Sequence, residues 1–282
     1  MKALVTGATG FLGRHVVPAL QARGLRVLAT AVEPDPTAFP WLADAEYRPF
    51  DLAAPLDGTN LYDRFGRPDL LVHLAWEGLP RYRERFHFES VLPRHYAFLK
   101  NFIEHGLTDV TVAGTCFEYG MIEGCLTEDL PSQPDNAYAL AKDTLRKFLL
   151  DLRRERPFSL KWPRIFYLYG PGQSPRTLLA QLDRALDTNQ PAFNMSGGEQ
   201  VRDYLPVEEA AARLARLACQ RDVEGVINVC SGRPIAVIDL VRQHLAKRGR
   251  TIALNLGHYP YPDCEPMRFW GSTAKYDSIP QP

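Results

Sequence analysis

Residues 6–13 read Thr6-Gly7-Ala8-Thr9-Gly10-Phe11-Leu12-Gly13. They follow a short apolar run, Lys2–Thr6. They lead into Phe11–Arg23, where Val16, Val17, Leu20 and Ala22 are spaced for burial on one side of a helix. A strand that ends in spaced glycines and opens a helix has a specific use. The glycines permit a tight turn, a close backbone approach to a pyrophosphate, and close helix–strand packing. The helix N-terminus then offers free amides to the phosphates. Gly7, Thr9, Gly10, Phe11, Leu12 and Gly13 are therefore candidate dinucleotide contacts.

The same alternation continues outward. Strand signals lie at Arg26–Ala31, Asp69–Ala75, Val110–Thr115 and Lys161–Leu168. Helical signals lie at Phe98–His105, ended by Gly106, and at Asn136–Leu152. Strand–helix alternation implies a parallel sheet covered on both faces. The expected fold class is α/β, a Rossmann-type doubly wound parallel sheet with a smaller interleaved C-terminal substrate lobe. Residues 1–166 would form the dinucleotide domain, completed by about 203–229 through a helix at Val207–Cys219 and a strand at Gly225–Val229. Residues 167–202 and 230–282 would form most of the substrate lobe, where prolines punctuate shorter segments. Pro18, inside the first helix, predicts a kink or a local loosening.

Composition narrows the function classes. The 282 residues carry 33 Lys plus Arg against 33 Asp plus Glu, so no net charge favours nucleic acid or an anionic membrane. No apolar run reaches membrane-spanning length, and no signal-peptide pattern opens the chain, so the expected location is cytoplasmic. The five cysteines, Cys116, Cys125, Cys219, Cys230 and Cys264, lack CxxC spacing and read as reduced thiols. The seven histidines show no HxxxH or HExxH pattern, so no metal site is expected.

Tyr138-Ala139-Leu140-Ala141-Lys142 puts a phenol and an ammonium one helical turn apart. A nearby cation favours the phenolate, and such a pair can move a proton to or from a carbinol oxygen. Thr115, at the C-terminal end of the preceding strand, is placed where α/β sheets hold ligands and can hydrogen-bond a carbonyl. Thr115, Tyr138 and Lys142 are the candidate catalytic residues. The end of the second strand, near Thr30-Ala31, lacks an acidic residue for a ribose, and Glu33 falls late. Arg14 follows the last glycine and either faces a 2′-phosphate or is solvated. On this basis NADP(H) is favoured, with NAD(H) the alternative.

These motifs resemble the extended short-chain dehydrogenase/reductases. TGxxGxxG stands at Thr6–Gly13, the Ser/Thr…Tyr-xxx-Lys triad at Thr115, Tyr138 and Lys142, and a strand-end HLA at His73-Leu74-Ala75. Arg202-Asp203-Tyr204 and Tyr169-Gly170-Pro171-Gly172 match further family segments. The resemblance implies that Asp51, Leu52, Leu74 and Ala75 lie on the cofactor side, and that Lys142 also holds the nicotinamide ribose. It implies that Arg202, with Arg268, clamps a nucleotide diphosphate. Trp76 would wall the sugar pocket or simply pack, and Cys116 and Phe117 would lie beside the substrate. Two departures are Tyr167 and Ser90, where relatives often carry asparagine.

GTCFEYG (114–120) and the tail from Tyr259 to Gly271 are similar to a subgroup that reduces nucleotide-linked 4-keto-6-deoxyhexoses, the dTDP-6-deoxy-talose-forming 4-dehydrogenases among them. The substrate implied is a nucleotide-diphosphate sugar, with dTDP favoured, and the assembly implied is a homodimer built on Phe86–His105 and Asn136–Leu152. Family dehydratases carry an adjacent Asp-Glu pair after the triad threonine. Cys116 and Phe117 stand there instead, and Glu118 comes one residue late. The alternatives are a sugar-nucleotide 4-epimerase with retained NAD and a non-catalytic dinucleotide-sensing or scaffold protein.

Overall fold

The computed structural model describes residues 1–263 and 265–280; Cys264 lies outside them. The strands are β1 (Lys2–Thr6), β2 (Arg26–Thr30), β3 (Glu46–Tyr47), β4 (Leu70–His73), β5 (Asp109–Val112), β6 (Gly114–Thr115), β7 (Gly124–Leu126), β8 (Ser159–Ile165), β9 (Tyr167–Tyr169), β10 (Ala192–Asn194), β11 (Val201–Pro206), β12 (Gly225–Val229), β13 (Pro234–Ala236), β14 (Ala253–Asn255) and β15 (Phe269–Gly271). The helices are α1 (Gly13–Gln21), α2 (Leu61–Arg64), α3 (Leu92–Glu104), α4 (Ala137–Glu155), α5 (Leu178–Asp187), α6 (Val207–Cys219), α7 (Val237–Arg248) and α8 (Ala274–Asp277).

The central sheet is parallel, in the order β12-β8-β5-β4-β1-β2-β3, with β6 extending β5 along β8. Its inner strands are buried because both faces are covered, and the charges they carry are paired, Lys161 with Asp109 and Arg164 with Glu118. On one face α1 and α6 bury Val16, Val17, Leu20, Ala211, Leu214 and Ala215. On the other, α3 and α4 bury Phe98, Leu99, Phe102, Leu145 and Leu149. Each fully buried Leu or Phe of this kind contributes roughly 1.5–3 kcal/mol over an exposed one.

Two local readings of the sequence change. The strand read as Val110–Thr115 is broken at Ala113. The break falls opposite Trp162-Pro163 of β8, where proline supplies no N–H to the ladder. The strand read as Lys161–Leu168 divides at Phe166, and β9 leaves the central sheet to pair with β11, Tyr167 opposite Tyr204. Helix α1 contains Pro18 at an exposed position, where water can serve the carbonyl that its ring leaves unpaired.

Beyond β9 a second cluster forms. Helices α5 and α7 pack with β10 and β14 around Leu179, Leu182, Phe193, Met195, Leu240 and Val241. The sequence reading missed both helices. The four described cysteines are free. Among the described residues no helix is long and apolar enough to cross a membrane.

Candidate active site

The chain leaves β1 toward β2 and β3, then returns to β4 on the other side of β1. Such a reversal opens a crevice beyond the carboxyl ends of the strands. A cavity of about 530 Å³ lies there. The glycine turn forms one wall. Gly7 has a positive φ of 67°, and a Cβ on it would sit 2.8 Å from the Ala75 amide nitrogen. A Cβ on Gly13 would lie 2.2 Å from the Gly7 carbonyl oxygen. Both positions exclude any side chain. The N-cap of α1, Leu12, offers no capping side chain, and the first turn holds no acidic residue. The helix therefore presents uncapped amides to an anion. These residues fit a dinucleotide pyrophosphate.

The opposite wall comes from β6 and α4. Asn136 caps α4 by accepting from the Ala139 N–H at 2.9 Å, and the Tyr138 N–H donates to the Tyr82 carbonyl at 2.9 Å. This pins the first turn and buries Tyr138 and Lys142 in the cavity wall. Thr115 ends β6 and opens a turn with a reciprocal cap. Its N–H donates to Glu118 Oε1 at 2.9 Å, and its Oγ accepts from the Phe117 N–H at 3.3 Å. Lys142 Nζ donates to the Ala113 carbonyl at 2.8 Å, the peptide at the strand break, and rests 4.0 Å from the Trp76 ring centroid.

The fold by itself does not lower the Tyr138 phenol as the Tyr-xxx-Lys spacing predicts, because burial outweighs any help from Lys142. Burial, reinforced by Tyr82, pushes the Tyr138 phenol up, and a hydrogen bond with Thr115 opposes the rise. The phenol is thus held protonated. Burial pulls Lys142 down to about 7, against the carboxylates of Glu118 and Glu77. Burial also pushes the Cys116 thiol up, which keeps it un-ionised and fits a packing role. Glu118 is fully buried and bound to Arg164 Nε at 2.8 Å and to the Trp162 indole N–H at 3.0 Å. It is held away from acid–base work.

The cavity gathers most of the residues singled out in the sequence: Gly7, Thr9, Gly10, Phe11, Leu12, Gly13, Leu52, Leu74, Ala75, Trp76, Thr115, Cys116, Phe117, Tyr138 and Lys142. Four others stand outside its lining. Arg14 rests its guanidinium over Trp41, 4.3 Å from the ring centroid, and does not line the cavity. Asp51 is exposed and caps the Ala53 N–H at 2.8 Å. Arg268 is exposed and lines neither this cavity nor its neighbour. Arg202 is buried in the neighbouring cavity of about 250 Å³, which shares Tyr167 with the first. There it grips Glu265 Oε2 through Nε at 3.2 Å and Nη2 at 3.0 Å.

Other contributors were not singled out. Glu33 lines the main cavity and accepts from Thr9 Oγ at 2.8 Å. Glu33, noted in the sequence as falling late, thus reaches the cavity three residues past β2. Tyr82 stacks near Tyr138, with centroids 5.6 Å apart, and touches Phe117 at 5.2 Å. Trp76, Tyr82, Phe117 and Tyr167 make a largely aromatic wall around the phenol.

The sequence profile of the NAD dependent epimerase/dehydratase family matches residues 3–230. The chain belongs to that family, the extended short-chain dehydrogenase/reductases. It is 28% identical over 274 residues to a dTDP-6-deoxy-L-talose 4-dehydrogenase (NAD(+)) of Aggregatibacter actinomycetemcomitans, across 96% of this chain and all of the relative. It is 24% identical to a UDP-glucose 4-epimerase of Neisseria meningitidis, across 88% of this chain and 83% of the relative. Among solved structures it resembles MoeE5 in complex with UDP-glucuronic acid and NAD, with a TM-score of 0.81, 26% identity, and coverage of 99% of this chain and 92% of that one.

Proposed function

We propose that this family member transfers hydride at C4 of a nucleotide-linked 6-deoxyhexose, acting as a 4-ketoreductase and, in reverse, as a 4-dehydrogenase. The observation that carries the reading is the gathering of Tyr138, Thr115 and Lys142 in one cavity wall, with no acid–base pair for elimination following Thr115. Cys116 and Phe117 occupy those places, and Glu118 is committed to Arg164. A bound nicotinamide supplies the hydride. Tyr138 donates the proton to the carbonyl oxygen, Thr115 orients that oxygen, and Lys142, one helical turn away in the same wall, would hold the nicotinamide ribose. The aromatic wall of Trp76, Tyr82 and Phe117 suits a sugar that carries a methyl group at C5. The similarity to a dTDP-6-deoxy-L-talose 4-dehydrogenase supports both the sugar and a dTDP carrier.

On the cofactor we part from the sequence expectation. Arg14 is engaged with Trp41, and the Glu33 carboxylate lies beside Thr9 in the cavity, placed to accept from ribose hydroxyls and to repel a 2′-phosphate. We propose NAD(H), not NADP(H). Residues 167–202 and 230–282 form the substrate lobe in this reading, and the location is cytoplasmic. A second copy of the chain covers the α3–α4 face, where Leu140, Phe148 and Leu150 are exposed.

The deciding experiment incubates the protein with dTDP- and UDP-linked 4-keto-6-deoxyhexoses plus NADH or NADPH. One cofactor oxidised per 6-deoxyhexose formed supports the reading. Interconversion of unoxidised UDP-hexoses at constant cofactor absorbance replaces it with the epimerase.

A further inference from the structure

We propose that Glu77 is a positioning residue for Lys142, acting through His95 and the Trp76 indole. This rests on the reading that Lys142 serves the reaction. Four side chains from four segments form one hydrogen-bonded file: Glu77 Oε2 to His95 Nε2 at 2.9 Å, His95 Nδ1 to His73 Nε2 at 2.7 Å, and His73 Nδ1 to Thr6 Oγ at 2.9 Å. Both histidines are wholly buried.

The file has one polarity, and its ends impose it. A carboxylate only accepts, so His95 Nε2 carries the proton and its Nδ1 accepts from His73 Nε2–H. His73 Nδ1 then accepts from the Thr6 hydroxyl, whose oxygen accepts in turn from the Ala75 N–H at 3.3 Å. No donor or acceptor along the file is left over. Replacing Glu77 with an amide removes the charge that fixes this order.

The file also backs the catalytic lysine. The Trp76 ring stands 4.6 Å from the His95 ring and 4.0 Å from Lys142 Nζ. Its indole N–H is tied to His87 Nδ1 at 3.2 Å, and His87 Nε2 bonds the Arg81 carbonyl at 3.0 Å. Turning the His95 ring would therefore shift the surface on which the ammonium rests. Glu77 itself lines the active-site cavity, with its carboxylate on His95.

The charges facing Lys142 are few. Glu118 approaches from the turn after β6 and Glu77 from the loop after β4, and both favour the ammonium. His73, His87 and His95 are held neutral chiefly by burial, and Tyr138 on the same helix is protonated. Arg94 faces Glu77 from α3 and supports its ionised form. Removing the Glu77 charge should lower the titration midpoint of Lys142.

The test uses protein labelled with ¹³Cε-lysine, with the Lys142 signal assigned by Lys142→Met. Glu77→Gln should move the Lys142 midpoint down by about half a pH unit or more. The alkaline limb of kcat/KM should move the same way while the melting temperature changes little. Glu77→Asp, which keeps the charge, should stay near wild type. His95→Phe keeps a ring behind Trp76 but frees Glu77 to turn toward solvent. It should reproduce the shift, and it serves if Glu77→Gln does not fold. An unmoved Lys142 midpoint in a folded variant overturns the proposal. A moved midpoint in a protein that turns over no nucleotide-linked 4-keto sugar sustains it and overturns the functional reading instead.

Discussion

Glu118 and Arg164 form a buried ion pair, 2.8 Å from carboxylate oxygen to Nε, directly beneath the turn that carries Thr115. The carboxylate also accepts from the Thr115 N–H, so the pair fixes the strand end as well as neutralising two buried charges. Glu118→Gln leaves Arg164 buried without its counter-charge. Loss of one partner of such a pair costs about 3–5 kcal/mol. Urea unfolding should show a loss of that size, and an unchanged midpoint would mean that the pair is dispensable.

Tyr138→Phe removes the proton donor and leaves a ring of nearly the same shape in a fully buried site. Turnover of the keto sugar should fall at least ~10²-fold, the usual scale for general acid catalysis. Dinucleotide binding, measured by calorimetry, should persist. If the variant turns over at near wild-type rate, the proton comes from elsewhere.

Glu33 and Arg14 give opposite expectations for cofactor choice. Glu33→Ala should weaken NADH binding and narrow the preference over NADPH by about tenfold, the value of roughly 1.4 kcal/mol at a charged hydrogen bond. Arg14→Ala should leave both affinities unchanged and cost about 0.5–1 kcal/mol of stability through its contact with Trp41. A fall in NADPH affinity confined to Arg14→Ala would return the arginine to the 2′-phosphate.

The central fold was legible because its signals are local: β1, the glycine turn, α6 and β12 are bounded by their own residues. Helices α5 and α7 had equally good patterns. Leu178, Leu179, Leu182, Ala185 and Leu186 line one face, and Gly249 ends α7 in the left-handed region. Pro171, Pro175 and Pro191 drew the reading toward shorter segments, although all three lie outside the two helices. Within the site, Thr115, Tyr138 and Lys142 were readable because motif order carries them. Glu33 was not, because the chain runs on past β2 before turning back to the glycines. Nor was the Glu77–His95–His73 file, which joins residues 22 positions apart through tertiary packing alone. The partner of Arg202 was equally hidden, since Glu265 arrives from the tail, 63 residues away.

That partner changes what Arg202 is expected to do. Glu265 Oε2 also accepts from the Tyr167 hydroxyl at 2.6 Å, so a diphosphate must compete with a carboxylate that already has three donors. Glu265→Gln weakens the competitor without emptying the site. It should tighten binding of a nucleoside diphosphate several-fold, and Arg202→Ala should weaken it while dinucleotide affinity holds. Equal affinities in wild type and both variants, read by calorimetry with dTDP, would place the diphosphate elsewhere.

Lys142 makes stability rise with pH. Its ordinary value is 10.5, and burial in the fold pulls it to about 7. Below pH 7 the group is protonated in both states, and the folded chain bears the whole cost of burying an ammonium. Between pH 7 and 10.5 the unfolded chain binds a proton that the folded chain has released, so unfolding becomes less favourable as pH rises. The full span corresponds to roughly 3–5 kcal/mol. Lys142→Met removes the titration and keeps an unbranched chain in the cavity wall. The variant should be more stable than wild type at pH 6–7, and the difference should shrink steadily toward pH 10. Urea unfolding of both proteins at several pH values measures it. A constant difference across that range would show that the ammonium is compensated in the fold, with Glu118 and Glu77 offsetting the whole desolvation cost.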